Sequence, residues 1–253
     1  MRPYILKETN WKRVRDEEYQ VAVLPWGATE AHNFHLPFGT DIYESDAIAN
    51  ESARIAWEKK AKVIVLPTIP IGVNTGQTDI KLTLNLNPGT QMSILMDIVE
   101  SLIAHDIFKL LIMNSHGGND FKQIIREVGL AFPDMFMGTC NWFQSVDKDQ
   151  FFENNGDHAD EMETSLMLHI HPELVLPIEV AGRGEAKKLK IRAFNENWAW
   201  TERKWTRVTS DTGIGNPEKA NKEKGEKYFI AITEKLGELL VDLASTAIDD
   251  MYE

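Results

Sequence analysis

The sequence predicts an α/β fold with a largely parallel central sheet. Short apolar runs alternate along the chain with longer segments whose apolar residues recur at helical spacing, as in β-strands joined by crossover helices. No segment of linker composition divides the 253 residues, so we expect one domain spanning residues 1–253. Ligands of such sheets bind beyond the carboxyl ends of the strands, and residues that follow the predicted strands are therefore the first candidates for function.

The first third of the chain predicts two strands, one helix and a long loop. Residues 21–25 form an apolar run that is typical of a buried strand. Residues 41–60 place their apolar side chains on one helical face, and residues 63–66 are a second apolar run. Residues 72–89 show little periodicity, which indicates a long loop, and long loops in compact domains often carry function.

The rest of the chain continues the alternation and adds an edge strand and a long final helix. The predicted elements, in order, are a helix at 92–105, a strand at 110–113, a helix at 121–132, a strand at 135–139, a helix at 159–170, an edge strand at 187–194 and a helix at 217–252.

Composition excludes several classes of partner. The formal net charge of −12 lacks the basic footprint of a nucleic-acid binder, so we expect no nucleic-acid partner. No apolar stretch approaches the ~18 residues of a membrane helix, and residues 1–10 do not resemble a signal peptide. The single Cys140 can form neither an internal disulfide nor a thiolate metal cage. These features predict a soluble cytoplasmic protein with no membrane partner.

The first cluster of candidate ligands follows the first predicted strand. Glu30, His32, His35 and Asp41 lie within twelve residues of one another. Carboxylates and imidazoles suit Zn²⁺, Mn²⁺ or Fe²⁺. Glu30 and His32 are two residues apart, so an extended backbone would place both side chains on one side. The alternative interpretation is a polar loop in which Asp41 caps the next helix.

The second cluster follows the third predicted strand. His116 stands at that strand's carboxyl end, where it would meet the first cluster. Gly117 and Gly118 come next, and glycines allow the backbone to approach a ligand closely. A glycine-rich turn could also hold a phosphate. The chain has neither G-x-G-x-x-G nor a P-loop pattern, which weakens that alternative.

The third cluster lies at the start of the predicted helix 159–170. Glu163 shares a helical face with Leu166 and Met167, and a carboxylate on an apolar face must be paired or must bind a metal. A buried ion pair is the alternative to a metal ligand. Glu161 points to another face, where it would be solvated or line the mouth of the site. His158 lies just before the helix.

Together, these clusters resemble the creatininase family, the creatinine amidohydrolase-like metalloenzymes. The family's opening motif is approximately G-S-x-E-Q-H-G-x-H-L-P-x-x-T-D, followed by N-G-H-G-G-N, H-A-G-x-x-E-T-S, P-G-T and a late G-x-x-G-x-P segment. Matching positions, in chain order, are Gly27, Glu30, His32, His35, Leu36, Pro37, Thr40, Asp41, Pro88, Gly89, Thr90, Asn114, His116, Gly117, Gly118, Asn119, His158, Ala159, Glu163, Thr164, Ser165, Gly213, Pro217, Ala220, Glu223, Lys224 and Gly225. The resemblance therefore covers nearly the whole chain.

The resemblance implies a three-layer α/β/α fold and a site for two divalent metal ions. Zinc is the first expectation, with manganese or iron as alternatives. By position, the family's metal ligands match Glu30, His32, Asp41 and His116, with Asp41 as the bridging carboxylate. Creatininase has an acid where this chain has Gly118, so that ligand is missing. Glu163 is its natural replacement.

The implied activity is hydrolysis of an amide-type C–N bond, in a small cyclic amide or formamide. Hydroxide shared by the two ions would attack the substrate carbonyl. His158 would protonate the leaving nitrogen, with Glu161 as the second candidate. The residues expected to bind this small-molecule substrate are Asn74, Thr75, Gln77 and Gly117.

Several alternatives remain open at the level of the sequence. The same ligands could open a cyclic keto-sugar or a related ring, or the protein could be a catalytically inactive metal-binding member of the family. Asn154 and Asn155 stand where creatininase has an aromatic residue and an acid, so creatinine itself is not the expected substrate. The family also implies a homo-oligomer, commonly a hexamer.

Overall fold

The computed structural model describes residues 2–154 and 156–252 and contains a four-stranded parallel sheet. The strands are β1 (Val21–Trp26), β2 (Val63–Val65), β3 (Lys109–Asn114) and β4 (Phe136–Asn141). Their spatial order is β2-β1-β3-β4, so β1 and β3 are the two central strands. The predicted parallel sheet is confirmed.

Helices connect and cover these strands. Their bounds are α1 (Trp11–Val14), α2 (Thr40–Glu58), α3 (Pro88–Ile103), α4 (Phe121–Ala131), α5 (Glu161–Ile170), α6 (Arg192–Asn195), α7 (Trp205–Val208) and α8 (Lys222–Ser245). No helix within the described part of the chain is both long and apolar enough to cross a membrane.

Two apolar cores, one on each face of the sheet, produce the three layers. Alternate residues of a strand point to opposite faces, so Val21 and Val23 pack with α2, α5 and α8, whereas Ala22 and Leu24 pack with α3 and α4. All four side chains are buried. The expected α/β/α arrangement follows from a sheet that is apolar on both faces.

The start of α2 is pressed against the end of β1. A Cβ atom on Gly27 would lie 2.9 Å from backbone atoms of Asp41, so only glycine permits this approach. The N-cap of α2 is Gly39, which makes no side-chain cap hydrogen bond. Asp41 lies inside the first turn and is not a helix cap, and its side chain is free for another role.

Two element predictions differ from the structure. The edge strand predicted at 187–194 is wrong, because this segment forms no ladder with β2 or β4 and instead leads into the short helix α6. The final helix is shorter than the predicted 217–252. It begins only after the side chain of Asn221 accepts a hydrogen bond from the Lys224 backbone N–H, an N-cap that fixes its first turn.

Candidate metal centre

The candidate ligands meet at the carboxyl ends of the two central strands. Trp26 of β1 and Asn114 of β3 are paired in register, and the chain leaves both strands at this edge. Four side chains that follow these strands are buried together, namely Glu30, His32, Asp41 and His116. The expectation that the first two clusters meet is therefore confirmed.

Asp41 lies between two groups of donor atoms. Its Oδ1 is 3.1 Å from Nε2 of His32, and its Oδ2 is 3.1 Å from Nδ1 of His116. Glu30 joins the second group, with Oε1 2.8 Å from Nδ1 of His116. The donor atoms within each group lie within 4.8 Å of one another. The two groups are His32–Asp41–Glu163 and Glu30–Asp41–His116. One carboxylate oxygen thus faces each group, as a bridging ligand requires.

Glu163 reaches the site from α5 on the opposite side. Asp160 caps this helix by accepting hydrogen bonds from the backbone N–H groups of Met162 and Glu163. The Ala159 backbone N–H donates to the Glu163 carboxylate. Only 9% of Glu163 is exposed, although it has no lysine or arginine partner within the described residues. A lysine or arginine therefore does not pair with Glu163 there, and the cationic group that faces it is His32.

Gly118 cannot supply the ligand that stands at this position in creatininase. A Cβ atom there would lie 2.3 Å from the carbonyl oxygen of Val73 and 2.4 Å from Nε2 of His116. These contacts are shorter than any side chain tolerates. The carboxylate of Glu163 instead reaches the group of His32 and Asp41 from another element, helix α5.

All three histidines at the site turn one ring nitrogen toward the carboxylates. The other nitrogen lies against a backbone carbonyl oxygen: His32 Nδ1 is 3.1 Å from that of Glu30, His116 Nε2 is 2.9 Å from that of Val73, and His158 Nε2 is 2.8 Å from that of Ala31. A carbonyl oxygen only accepts, so these nitrogens carry the protons. The nitrogens that face the carboxylates are free to bind a cation. This outer hydrogen bond is typical of metal-ligating histidines.

The buried carboxylates at the site also lack a lysine or arginine partner. Glu30, Asp41, Glu44 and Glu163 are buried together, and none of them forms an ion pair with lysine or arginine within residues 2–154 and 156–252. Both carboxylate oxygens of Glu44 make no hydrogen bond there. Since buried carboxylates are otherwise costly, the donor set fits divalent metal ions.

The pKa values reflect this excess of carboxylates. Burial raises the pKa of Glu163 to about 8 and raises that of Glu44 well above its usual range. Burial alone would lower the pKa of His32, but the Asp41 carboxylate raises it to about 10. The pKa of His116 is also raised, against its burial, by Glu30. Protons on these groups offset the charge that a metal ion would otherwise balance, so metal and protons compete for the site.

His158 lies beside the donor groups. Its Nδ1 is 3.9 Å from Oε1 of Glu30, and its ring centroid is 4.1 Å from that of His32. Glu30, His32 and His158 form a third group whose donor atoms lie within 4.8 Å. Burial and the neighbouring His32 lower the pKa of His158. His158 therefore lies next to the candidate metal ligands.

His35, a member of the opening motif, supports the site from outside. Its Nε2 is 2.8 Å from Oγ1 of Thr164, which joins the segment after β1 to α5. Burial and the charge of His32 lower the pKa of His35 to about 4, so this imidazole is neutral at ordinary pH.

Glu161 is buried but is not part of any of the donor groups. Its Oε1 accepts a hydrogen bond of 2.5 Å from Nζ of Lys224. Its Oε2 accepts from the backbone N–H groups of Glu153 and Asn154 at 3.1 and 2.7 Å. Glu161 therefore has a lysine partner and no free oxygen on the side of the site.

The four residues expected to bind substrate have different surroundings. Gln77 is buried and donates its side-chain amide to Oε2 of Glu30. Asn74 is also buried and donates to the carbonyl oxygen of Leu84. Thr75 is exposed and donates to Glu202, whereas a Cβ atom on Gly117 would meet open space. Of these residues, Gly117 faces open space, and Gln77 orients the candidate ligand Glu30.

Sequence reasoning missed Glu44 and Trp205. Glu44 follows Asp41 by three residues in α2, so helical spacing alone could have indicated it. The ring of Trp205 lies 4.7 Å from that of His158, centroid to centroid. No local pattern signals this second contact, because the two residues are far apart in the chain.

The fold and this donor set define a metal-dependent hydrolase. The chain belongs to the creatininase family, since the family model for creatinine amidohydrolase matches residues 7–240. This match confirms the resemblance drawn from the motifs.

Relatives and solved structures agree with this assignment. The chain is 25% identical to creatinine amidohydrolase of Pseudomonas putida over 61% of this chain and 66% of that protein. It is 26% identical to the mycofactocin precursor peptide peptidase of Mycobacterium tuberculosis H37Rv over 84% of this chain and 81% of the relative. The structure of a proposed creatinine amidohydrolase from Bacteroides fragilis has 42% identity, a TM-score of 0.94 and full coverage of both chains. A manganese form of creatininase has 20% identity and a TM-score of 0.80, with 96% of this chain and 99% of the other covered, and shares the fold.

Proposed function

We propose that this protein hydrolyses an amide-type C–N bond in a small cyclic amide or formamide with the help of two divalent metal ions. The observation that carries the proposal is the orientation of the histidines. Each holds its outer nitrogen on a backbone carbonyl and turns the other toward buried carboxylates. Zinc is the first candidate metal, with manganese or iron as alternatives.

Five side chains would hold the ions. Glu30, Asp41 and His116 would bind one ion, and His32, Asp41 and Glu163 the other, with Asp41 shared. Divalent ions bound there would activate water as a nucleophile near neutral pH and polarise the substrate carbonyl.

His158 would give a proton to the leaving nitrogen. Its Nε2–H is fixed on the carbonyl oxygen of Ala31, so Nδ1 is the atom that exchanges protons at the site. Burial lowers its pKa, which makes the protonated ring a stronger acid. Glu161 is the weaker candidate, because Lys224 already binds its carboxylate.

The substrate would approach over Gly117, where the backbone faces open space. Asn74 and Thr75, on the loop between β2 and α3, are further candidates for contact with it. Gln77 is better placed to orient Glu30 than to touch a substrate, because its amide is already donated to that carboxylate.

A peptide amide is the second candidate substrate. The relatives named mycofactocin precursor peptide peptidase match more of this chain than the Pseudomonas relative does, 84% against 61%. Hydrolysis of a peptide bond would use the same ligands and the same proton donor. Two other candidate functions, the opening of a cyclic keto-sugar and metal binding without catalysis, are distinguished by the test below.

We also infer that the chain forms a homo-oligomer, with a hexamer as the family's expectation. Large apolar side chains are exposed along one stretch of the chain, among them Leu176, Val180, Leu189 and Ile191. Exposed apolar patches commonly mark protein–protein contacts. Sedimentation analysis would reveal a monomer if this inference is wrong.

The test of the proposed activity combines reconstitution with a substrate panel. Metal-stripped protein would be loaded with Zn²⁺, Mn²⁺ or Fe²⁺ and assayed on cyclic amides, formamides, short peptides and cyclic keto-sugars. Metal-dependent release of an amine or an amino acid from an amide supports the proposal. Turnover of keto-sugars alone, or of nothing in the panel, would contradict it.

A further inference from the structure

Trp205 packs against the ring of His158. It is the first residue of α7, and its ring meets the ring of His158 edge to face, with centroids 4.7 Å apart and planes inclined at 65°. Trp205 is itself half-buried, whereas His158 is almost entirely buried. The indole therefore lies between the buried imidazole and the surface of the protein.

A cation and an ion pair hold the indole in this place. The guanidinium of Arg203 lies 4.9 Å from the centre of the Trp205 ring. The same guanidinium binds both carboxylate oxygens of Asp157, at 2.7 and 3.2 Å. Asp157 immediately precedes His158, so Arg203 ties the segment before α7 to the segment that carries the histidine. A bidentate pair of this kind fixes orientation as well as distance.

A second anchor lies on the loop between β2 and α3. Oγ1 of Thr206 donates to the Asp79 carboxylate at 2.5 Å, and Thr75 donates to Glu202. The segment on each side of Trp205 is therefore held by a side-chain contact, Arg203 by Asp157 and Thr206 by Asp79. These contacts fix the position of the indole beside His158.

The contacts of His158 involve both its ring and its backbone. Nε2 is held by the carbonyl oxygen of Ala31, the ring lies next to that of His32, and the backbone is paired with Ile214 in an antiparallel bridge. Trp205 adds a further contact to the ring. Without the indole, water could reach the imidazole and the ring could turn Nδ1 away from Glu30.

We propose that Trp205 is a positioning residue, which keeps Nδ1 of His158 directed at the reaction site. The inference rests on the proposed role of His158 as proton donor. Trp205 acts through His158 and bears no chemical step of its own. Its loss should therefore impair proton transfer and leave the five metal-ligating side chains in place.

The experiment compares Trp205→Ala, Trp205→Phe and Trp200→Ala. Trp200 is the matched control, because it is a tryptophan of the same segment that is 84% exposed and has no aromatic contact within the described residues. In Trp205→Ala, kcat should fall by about 10- to 100-fold, the usual effect of a misplaced catalytic group, with KM changed much less. The loss should be smaller for substrates with good leaving groups, which need less protonation. Trp205→Phe should restore most of the rate, and Trp200→Ala should match the wild type.

A second measurement does not depend on activity. In nitrogen-15 spectra of the histidine rings, the Nε2–H of His158 should exchange slowly with water in the wild type and in Trp205→Phe, and at least tenfold faster in Trp205→Ala. Elemental analysis should find equal metal content in all variants. Unchanged exchange together with unchanged kcat in Trp205→Ala, or a loss of kcat that follows a loss of metal, would overturn the inference.

The two proposals fail in different ways. If the loaded wild type hydrolyses nothing in the panel, the proposed function is wrong, but the exchange measurement still tests the contact between Trp205 and His158. If the wild type is active and Trp205→Ala has the same kcat, leaving-group dependence and exchange rate, the role of Trp205 alone is wrong. Should Trp205→Ala not fold, Trp205→Leu retains part of the apolar side chain without an aromatic ring and is expected to show the same losses.

Discussion

His158 and the metal ligands have separable roles at the scale of single residues. His158→Ala should retain both ions and the fold, because the proposed ligands are five other side chains. Turnover should fall by roughly 10²–10⁴-fold, the usual contribution of a positioned acid or base. Steady-state kinetics with elemental analysis would check this. If the variant loses an ion, His158 is a ligand, and if it keeps full turnover, the proton donor has been misidentified.

Gln77 should matter for metal affinity. Its amide holds Oε2 of Glu30, which leaves Oε1 facing His116. Gln77→Leu removes this hydrogen bond, and metal affinity should fall by about 10- to 100-fold, as for other groups that orient ligands. Thr78→Ala, at an exposed position in the same loop, is the control and should bind metal normally. Titration of the metal-stripped protein with a competing chelator would measure both, and equal affinities would count against this role.

The raised pKa of Glu163 predicts that the stability of the metal-free protein depends on pH. Its pKa is about 8 in the fold and close to 4.5 when exposed, so the folded state binds more protons between these values. The free energy of unfolding must then fall as pH rises from about 4.5 to about 8. Glu163→Gln cannot ionise and should lack this contribution, on the order of a few kcal/mol.

Thermal unfolding of both metal-free proteins from pH 5 to pH 8 would test this. The stability advantage of Glu163→Gln should grow with pH. A constant difference would show that the Glu163 carboxylate is not destabilised by its surroundings.

At the scale of elements, the turn between β3 and α4 offers a matched pair of glycines. A Cβ atom on Gly118 would overlap the Val73 carbonyl and His116, whereas one on Gly117 meets nothing within 4 Å. Gly118→Ala should therefore displace His116, lower metal affinity and cost about 1–3 kcal/mol of stability, the usual penalty of overpacking. Gly117→Ala should keep both stability and metal. Chemical denaturation and metal titration would compare them, and equal behaviour of the two variants would contradict the close packing.

Much of the fold could be predicted from apolar periodicity, because β1, β2 and β3 are buried and largely apolar and most long helices bury an apolar face. The edge strand at 187–194 was wrong for a physical reason. Lys188 and Lys190 alternate with Leu189 and Ile191, which imitates a half-buried strand. In the structure these side chains are exposed, including the two apolar ones, and no sheet edge lies beside them. Local pattern cannot show whether a partner strand exists.

The candidate metal ligands could be predicted from the sequence to a similar extent. Glu30, His32, Asp41 and His116 follow central strands, and the rule that ligands bind at the carboxyl ends of parallel strands is enough to predict that they lie close together. Glu163 was indicated by its helical face. Gln77 and Trp205 could not be assigned correctly, because their roles depend on contacts with Glu30 and His158 that span 47 residues each.

At the scale of the whole molecule, the site explains part of the acidic composition. The net charge of −12 includes four buried carboxylates at the carboxyl edge of the sheet, and two divalent ions would balance the charge of four ionised carboxylates. Metal binding should therefore stabilise the folded chain and release protons. The single domain over residues 1–253 stays a prediction, and so does the cytoplasmic location.

The central claim is that Asp41 is shared by two metal ions, and the most direct test is the number of ions per chain in the wild type and in Asp41→Asn. Because the N-cap of α2 is Gly39, the variant should fold. Asp46→Asn, on the same helix but outside the donor groups, is the control. Elemental analysis after reconstitution with Zn²⁺ should find two ions in the wild type and in Asp46→Asn, and none in Asp41→Asn. A wild type that binds no metal, or an Asp41→Asn variant that keeps two ions, would contradict the account.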